Sequence, residues 1–330
     1  MKIFLAGAGG AIGRPLIRQL KEHGHEVIGT TRSKAKAGEL WDLGATPVIL
    51  DALDREAVIA AVAQAKPDAI IHQLTALSNI DFRHFEKSFA PTNRLRTEGT
   101  DNLLAAARGA SVERFVAQSY AGHPYARIGG PVKTEDDPLD PIPAPQMRST
   151  IDAIRYLERA VLDFGGIVLR YGGFYGPGTG LARGGEQLEM IRKRRFPLVG
   201  EGRAVWSLVH VDDAAAATVA ALERAKPDTI YNIVDDEPAR VREVLFYLAE
   251  VIGAKPPWRI PLWLARLLGE HMVVMMDEVR GASNAKARRE LGWEPVHRSW
   301  RDGFRELTAA EPAAPASGVA APVRQRQQTR

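Results

Sequence analysis

The chain has no cysteine, which excludes disulfide bonds, thiolate catalysis and zinc–thiolate sites. Long apolar runs are also missing, and the N-terminal stretch MKIFLAGAGG is too short for a secretion signal or a membrane span. Neither HExxH nor Gly-x-Ser-x-Gly occurs, and the eight histidines lie mostly alone. We therefore expect no metal site, no hydrolase chemistry, no membrane contact and a cytoplasmic location.

An excess of charge of one sign is missing as well. The chain has 44 Lys and Arg against 40 Asp and Glu, and Glu311 with three arginines after residue 320 accounts for +2 of the net +4. The short basic run at 192–195 has no interleaved aromatic residues, so a solvated helix end explains it. We expect a small-molecule substrate and no nucleic-acid partner.

Apolar runs alternate with segments of helical periodicity over the first half of the chain. Strands are predicted at 2–8, 25–32, 46–50, 68–74, 114–119 and 167–176. This alternation predicts an α/β fold with a Rossmann-like, doubly wound parallel sheet. We assign 1–176 to this dinucleotide-binding domain with segments from about 204–237 returning to it, 177–310 mainly to a smaller C-terminal substrate-binding lobe, and 311–330 to a disordered tail.

The turn after the first predicted strand reads GAGGAIG, from residue 7 to residue 13. Glycines at this spacing allow a tight turn in which the amides of a helix N-terminus face a pyrophosphate. We assign the following residues of this turn to cofactor binding: Gly7, Gly10, Ala11, Ile12 and Gly13.

The second predicted strand ends in Thr31-Arg32-Ser33 and lacks the carboxylate that binds the ribose 2′-hydroxyl of NAD. The guanidinium of Arg32 can pair with a 2′-phosphate. We expect the cofactor to be NADP, with NAD less favoured; in the alternative interpretation Arg32 simply lies on the surface.

Ordered blocks over about nine-tenths of the chain resemble the extended short-chain dehydrogenase/reductase family, which includes the nucleotide-sugar epimerases and dehydratases. Besides the glycine turn, these blocks are LDALD at 50–54, IIHQLTA at 70–76, Asn93 with GTDNLLAAA at 99–107, LRYGGFYGPG at 169–178, VHVDDAA at 209–215, YNIVDDEP at 231–238 and KARRELGWEP at 286–295. The resemblance implies a role for further residues in cofactor binding: Asp51 at the adenine, Leu74, Thr75 and Ala76 at the ribose and diphosphate, Asn93 as a support, and Tyr171 near the nicotinamide.

This sequence lacks the Tyr-x-x-x-Lys pair on which the chemistry of that family depends. Alignment puts Thr150 at the tyrosine position and Ile154 at the lysine position. The block AQSYAG places Ser119 and Tyr120 against the nicotinamide and the reacting oxygen. We interpret Tyr120 as a relocated proton donor, with Ser119 and Thr150 as further catalytic candidates. The alternative is that Tyr120 is only a wall of the pocket.

Trp206 occupies the position at which nucleotide-sugar enzymes of the family carry an arginine for the diphosphate. An indole cannot neutralise a diphosphate, so a small carbonyl, enone or hydroxyl substrate is favoured. In the alternative interpretation, Trp206 belongs to the hydrophobic core and Arg203 binds an anionic group of the substrate. The predicted substrate pocket consists of His123, Tyr125, Met147, Phe174 and Trp206.

Taken together, these patterns predict an NADP(H)-binding oxidoreductase with an atypical proton donor. Two alternatives stay open: a dinucleotide-binding sensor or assembly protein without catalysis, and a non-redox epimerase, dehydratase or isomerase. The family resemblance also allows a homodimer through the helices that contain LLAAARGA and AIRYLERAV.

Overall fold

The computed structural model describes residues 1–77 and 80–306, so the tail predicted at 311–330 lies outside the described residues. The strands are β1 (Lys2–Ala6), β2 (Glu26–Thr31), β3 (Thr46–Ile49), β4 (Ala69–His72), β5 (Arg114–Tyr120), β6 (Val132–Lys133), β7 (Ile167–Tyr171), β8 (Gly173–Tyr175), β9 (Leu198–Val199), β10 (Val205–Trp206), β11 (Leu208–His210), β12 (Thr229–Ile233), β13 (Ala239–Arg240), β14 (Arg259–Ile260) and β15 (Gly281–Ala282).

The α-helices are α1 (Gly13–Glu22), α2 (Lys34–Asp42), α3 (Arg55–Ala65), α4 (Phe85–Arg94), α5 (Thr100–Gly109), α6 (Arg148–Asp163), α7 (Glu186–Arg192), α8 (Val211–Arg224), α9 (Val241–Val251), α10 (Leu262–Leu268), α11 (Glu270–Val273), α12 (Ala285–Leu291) and α13 (Trp300–Glu306). A π-helical turn, Leu95–Gly99, joins α4 to α5 in one continuous helical run. A second π-helical turn, Val274–Glu278, follows α11. None of the helices in the described ranges combines the length and the apolar character needed to cross a membrane.

Seven strands form a parallel sheet in the order β12-β7-β5-β4-β1-β2-β3. The strand order reverses between β1 and β4, and ligands of such sheets bind in the crevice at this point, outside the carboxyl ends of the strands. The predicted Rossmann-like sheet is confirmed. The edge strand β12 was not predicted.

Helices cover both faces of the sheet, which explains why its central strands are apolar throughout. Ile3 and Leu5 of β1 pack in the cluster that contains residues of α1 and α8. Phe4 and Ala6 point the other way, into the cluster that contains residues of α3, α5 and α6. Strand β11 pairs with β8 and β12 joins the sheet beside β7, whereas β10 pairs with β13.

A separate apolar cluster forms the core of the C-terminal lobe. It contains residues of α7, α9 and α13, and it extends to Phe85 and Phe89 of α4 and to Met147, which precedes α6. This cluster therefore joins the lobe to α4 and to the segment before α6. The homodimer through α5 and α6 stays a prediction.

Candidate functional site

The turn between β1 and α1 lies at the crevice and depends on two glycines. Gly7 has φ +94°, and a Cβ atom there would lie 2.6 Å from the carbonyl oxygen of Gln73. A Cβ atom at Gly13 would lie 2.2 Å from the carbonyl oxygen of Ala8. The amide of Gly10 closes the turn by donating to the carbonyl of Gly7 over 3.1 Å. Glycine therefore permits the tight turn and brings α1 close to β1.

The N-terminus of α1 has no side-chain cap. Ile12 is its N-cap residue and accepts no side-chain capping bond, and the first turn contains no acidic residue. Ile12 is buried and Ala11 is partly exposed at this turn. Free N–H groups and the positive end of the helix dipole suit a pyrophosphate, so this turn fits a dinucleotide.

Two cations lie near the end of β2. Arg32 is exposed and makes no ion pair with another described residue. Lys36 donates from Nζ to the carbonyl of Gly9 over 3.4 Å, which places it beside the glycine turn. Asp51, after β3, is exposed, and its Oδ1 accepts from the amide of Leu53 over 3.0 Å. The crevice wall after β2 is therefore basic, with Asp51 at the end of the neighbouring strand.

Side chains from two neighbouring elements hold the backbone at 74–76. The amide of Leu74 donates to Nδ1 of His72 over 3.2 Å, and the amide of Ala76 donates to Oγ1 of Thr92 over 3.0 Å. Burial lowers the pKa of His72 to about 4, so its ring is neutral and Nε2 carries the proton toward Thr100 at 3.1 Å. This segment, which includes Thr75, borders the same crevice as the glycine turn because the carbonyl of Gln73 contacts Gly7.

Ser119 and Tyr125 belong to a buried network that stabilises the sheet edge. Ser119 donates to Oε1 of Glu158 over 2.7 Å, and Arg170 binds both oxygens of Glu158 over 2.8 and 2.7 Å. Arg170 also donates to the hydroxyl of Tyr125 over 2.9 Å, and Tyr125 donates to Oδ1 of Asn232 over 2.6 Å. Both hydroxyls are therefore engaged inside the protein, and the structure does not bring them to the ring of Tyr120.

Tyr171 ends β7 directly beside Tyr120, its register partner on β5. Its hydroxyl accepts from Nε2 of Gln73 over 3.0 Å and lies 2.7 Å from Oγ1 of Thr218. Burial raises the pKa of Tyr171, so it stays protonated. Phe174 packs on it with ring centroids 5.3 Å apart. These two rings cover the side of the sheet that faces α8.

Tyr120 lies at the end of β5 in a partly apolar cluster with His123, Phe85 and Phe89, which we call the Tyr120 pocket. Its ring centroid is 4.9 Å from that of His123, and His123 contacts Phe85 and Phe89 edge-on at 6.1 and 6.4 Å. Burial raises the pKa of Tyr120, and the nearby Arg96 partly opposes this. Burial and Arg96 together lower the pKa of His123 to about 3. At neutral pH the pocket therefore holds a protonated phenol and a neutral imidazole.

Arg96 is the residue that the sequence analysis missed. It lies in the π-helical turn and is only 5% exposed. Burial lowers its pKa to about 10, so it keeps its charge at neutral pH. Within the described parts of the chain it forms no ion pair, and its Nη1 has no hydrogen-bond partner. Its charge acts electrostatically on both Tyr120 and His123.

Asn93 and Thr150 meet beside this pocket, where Nδ2 of Asn93 donates to Oγ1 of Thr150 over 3.1 Å. Oδ1 of Asn93 is buried and has no partner in the described structure. Thr150 is fully buried, so the position expected for a catalytic tyrosine holds a hydroxyl that accepts from Asn93.

Trp206 and Met147 both pack in the apolar cluster of the lobe. The indole of Trp206 donates to the carbonyl of Met275 over 3.1 Å, and Met147 is buried. Arg203, the alternative anion ligand, is exposed and forms an ion pair with Asp277 over 2.6 Å. The lobe thus presents an apolar wall at Trp206, and the guanidinium of Arg203 already has a carboxylate partner.

Residues 3–234 match the model of the NAD dependent epimerase/dehydratase family. That match covers more than half of the chain. The protein belongs to this family. Among solved structures, the UDP-glucose 4-epimerase of Thermus thermophilus in complex with NAD is similar to this family member, with a TM-score of 0.71 and 24% identity. The similarity covers 93% of this chain and 98% of that one, and it shows the shared fold.

Two curated relatives of this epimerase/dehydratase family member are reductases by name. It is 45% identical over 308 residues to the 3-diazoavenalumate denitrifying reductase of a Streptomyces species, covering 92% of this chain and 99% of that relative. It is 30% identical over 353 residues to the 2-alkyl-3-oxoalkanoate reductase of Stenotrophomonas maltophilia (strain K279a), covering 95% and 100%. The protein is therefore an enzyme of a family that includes reductases, epimerases and dehydratases.

One group among the described residues of this family member has the spacing of metal ligands: His210, Asp213 and His297, whose ligand atoms lie within 4.8 Å of one another. The sequence did not reveal it, because His297 lies far along the chain from His210 and Asp213. Both oxygens of Asp213 are already engaged, by the amides of Val296 and His297 and by Nδ1 of His297 over 2.8–2.9 Å. The imidazoles stack 3.8 Å apart. These contacts attach the segment before α13 to α8 and account for the group.

Proposed function

We propose that the protein is an NADP(H)-dependent reductase that transfers hydride to a small substrate without a nucleotide. The observation that carries this proposal is the pocket of Tyr120, His123 and Arg96, which adjoins the dinucleotide crevice at the end of β5. The names of the two relatives support the reaction class. The apolar wall at Trp206 supports a substrate without a diphosphate.

The residues of the crevice fit the cofactor. The glycine turn and the free amides of α1 would hold the diphosphate, while Arg32 and Lys36 would hold a 2′-phosphate. When bound, the nicotinamide supplies the hydride. Asn93 and Tyr171 would border its nicotinamide end.

For a carbonyl substrate, the residues of the pocket supply the proton. Tyr120 donates its phenolic proton to the oxygen as the carbonyl carbon gains the hydride, which leaves a hydroxyl on the product. Arg96 stabilises the tyrosinate that forms, because it is a buried charge beside the phenol. His123 is neutral and adds no competing positive charge.

A second candidate substrate is an aromatic diazo compound, as in the name of the 45% identical relative. The absence of the Tyr-x-x-x-Lys pair favours it, since Thr150 and Ile154 stand at those positions. In this reaction hydride forms a C–H bond at the ring, and the C–N bond breaks with its electrons leaving in N₂. No proton has to reach an oxygen, so a pocket without the usual acid is sufficient.

The test begins with titration of the purified protein with NADPH and NADH, followed by nicotinamide fluorescence. An aryl ketone, an enone and an aryl diazonium acid are then added to the NADPH complex, and transfer of deuterium from labelled NADPH to the product is measured. We expect a preference for NADPH and deuterium in at least one product. Tight binding without transfer to any of them would favour the sensor or non-redox alternatives, and absence of binding would remove the proposal.

The variant Tyr120→Phe separates the two substrate classes. Ketone reduction should fall by roughly 10²- to 10⁴-fold, the usual contribution of a general acid, while diazonium reduction should not change. Tyr156→Phe is the matched control, because that tyrosine is exposed and its hydroxyl contacts Asp101 on the surface. Full ketone turnover in Tyr120→Phe would show that the phenol is only a wall of the pocket.

A further inference from the structure

Arg96 is a buried cation whose charge no carboxylate directly compensates. Glu158 acts on it electrostatically, but both oxygens of Glu158 are already bound by Arg170 and one of them also by Ser119. No described residue forms an ion pair with Arg96, and its Nη1 makes no hydrogen bond there. Keeping an unpaired guanidinium out of water is unfavourable. A ligand with a negative charge would therefore be stabilised here more than at the surface.

The polar atoms around Arg96 complete a set of donors. Nε2 of His123 is buried and has no partner in the described residues, and the phenol of Tyr120 is protonated. His123 is neutral, so Nε2 can carry its proton. The rings of Tyr120 and His123 are in contact, and the buried charge of Arg96 acts on both groups. The N–H groups of the guanidinium and the imidazole match the two oxygens of a carboxylate better than a single uncharged oxygen, and the phenol stays available for the reacting oxygen.

The wall beside these donors is aromatic. Phe85 and Phe89 stack with ring centroids 4.3 Å apart, and both present their rings to His123. The apolar cluster continues through Met147 into the lobe. A planar, unsaturated body would pack favourably on these rings while its acidic end reaches Arg96.

We infer that Arg96 is the anion-binding residue of the substrate pocket and that the substrate is an aromatic or unsaturated carboxylate. This inference rests on the proposed function, since it names the substrate class of the same reductase site. Arg96 orients the substrate through its carboxylate, and Tyr120 and His123 line the path toward the nicotinamide end.

Binding to the full chain loaded with NADP⁺ tests the inference without turnover. Cinnamate and benzoate are compared by calorimetry with cinnamamide and benzamide, which have the same shape and no charge. We expect each acid to bind at least about tenfold more tightly than its amide, as a charge-assisted hydrogen bond provides. Equal affinity of acids and amides, or no binding of either acid, would overturn the inference.

Variants assign the preference to one residue. Arg96→Gln should remove the preference for acids, and Arg96→Lys should keep part of it. The matched control is Arg94→Gln, in the last turn of α4, because Arg94 is exposed and pairs with Glu98 over 2.7 Å. It should keep the full preference. An acid preference that survives in Arg96→Gln would contradict the assignment.

A purely structural role for Arg96 is distinguished by stability. Removal of an uncompensated buried charge should leave the melting temperature of the apo protein unchanged or raise it, with NADP⁺ affinity unaltered. A lower melting temperature together with weaker NADP⁺ binding would make Arg96 a structural residue and overturn the inference. Tighter binding of acids without deuterium transfer would refute the proposed reductase but support the anion site. Deuterium transfer with equal binding of acids and amides would support the reductase but refute the anion site.

Discussion

Ser119 donates a hydrogen bond to Glu158 over 2.7 Å, whereas the ring of the next residue, Tyr120, lies 4.9 Å from that of His123. Successive side chains of a strand point to opposite faces. Strand β5 therefore ends with one residue in a buried ion-pair network and the next in the pocket. Substitutions on the two sides should affect different properties of the enzyme.

Glu158→Gln should destabilise the protein, because it leaves Arg170 buried with no carboxylate. We expect a loss of about 3–5 kcal/mol in the free energy of unfolding, the range for breaking a buried pair. Ser119→Ala should cost about 1 kcal/mol and leave turnover within a few-fold. Urea denaturation and steady-state rates measure both. Glu98→Gln, in an exposed pair, is the control and should change stability by less than about 1 kcal/mol. A large loss of turnover in Ser119→Ala with normal stability would restore that hydroxyl as a catalytic group.

Arg32→Ala should weaken NADPH binding by roughly 10- to 100-fold and leave NADH binding unchanged, because only NADPH carries the 2′-phosphate. Fluorescence titration with both cofactors measures the effect. Arg18→Ala is the control, since Arg18 is exposed and faces Asp212 at 3.7 Å. An equal decrease in affinity for both cofactors, or no decrease, would mean that Arg32 does not bind the 2′-phosphate.

Gly13→Ala should impair both folding and dinucleotide binding. Its new Cβ atom would lie 2.2 Å from the carbonyl oxygen of Ala8, and neither backbone can move without shifting α1 from β1. Gly38→Ala is the control, because no atom lies within 4 Å of the added carbon in the exposed helix α2. That change should stabilise by roughly 0.5–1 kcal/mol. Thermal melting and NADPH titration compare the two, and a Gly13→Ala protein with normal binding would contradict the close packing.

Asp235 should make the stability of the protein depend on pH. Burial raises its pKa from 3.8 to about 8, and its Oδ2 has no partner in the described residues. The folded protein therefore holds a proton that the unfolded chain releases above about pH 4, so stability falls with rising pH up to about pH 8. The slope from this group is at most about 1.4 kcal/mol per pH unit.

Asp235→Asn should remove this slope. The melting temperature of the variant, relative to that of the wild type, should rise between about pH 5 and 8 and stay constant above. Asp152→Asn provides the comparison, because Asp152 is exposed and its partner Arg155 is also partly exposed. If the melting temperatures of the wild type and of Asp235→Asn changed with pH in parallel, Asp235 would titrate as an ordinary carboxylate.

The sheet and the cofactor crevice were predictable because their signals are local. Alternating apolar runs identify β1, β2, β4, β5 and β7, and the glycines of the turn have the close contacts that their spacing indicated. Strand β12 was not predicted, because it lies beyond the part of the chain in which apolar runs and helical segments alternate regularly. In the structure, Asn93 donates to Thr150, the residue that aligns with the tyrosine of the family.

The chemistry of the pocket was less predictable because it depends on tertiary contacts. The sequence predicted Tyr125 as a residue of the substrate pocket, but the fold places its hydroxyl against Arg170 and Asn232. Nothing in the local sequence distinguishes Arg96 from a surface arginine, because a π-helical turn has no local sequence signal. His210 and His297 are brought together only by the final packing of the C-terminal segment.

The π-helical turn Leu95–Gly99 makes the position of Arg96 sensitive to the deletion of a single residue. A π-helical turn contains one residue more than an α-helical turn, and one residue of α-helix corresponds to a rotation of about 100°. Deleting a single residue there would restore α-helical bonding between α4 and α5 and rotate Arg96 relative to the sheet. A deletion of one residue that keeps Tyr120, His123 and Arg96 would then change the direction in which the side chain of Arg96 points.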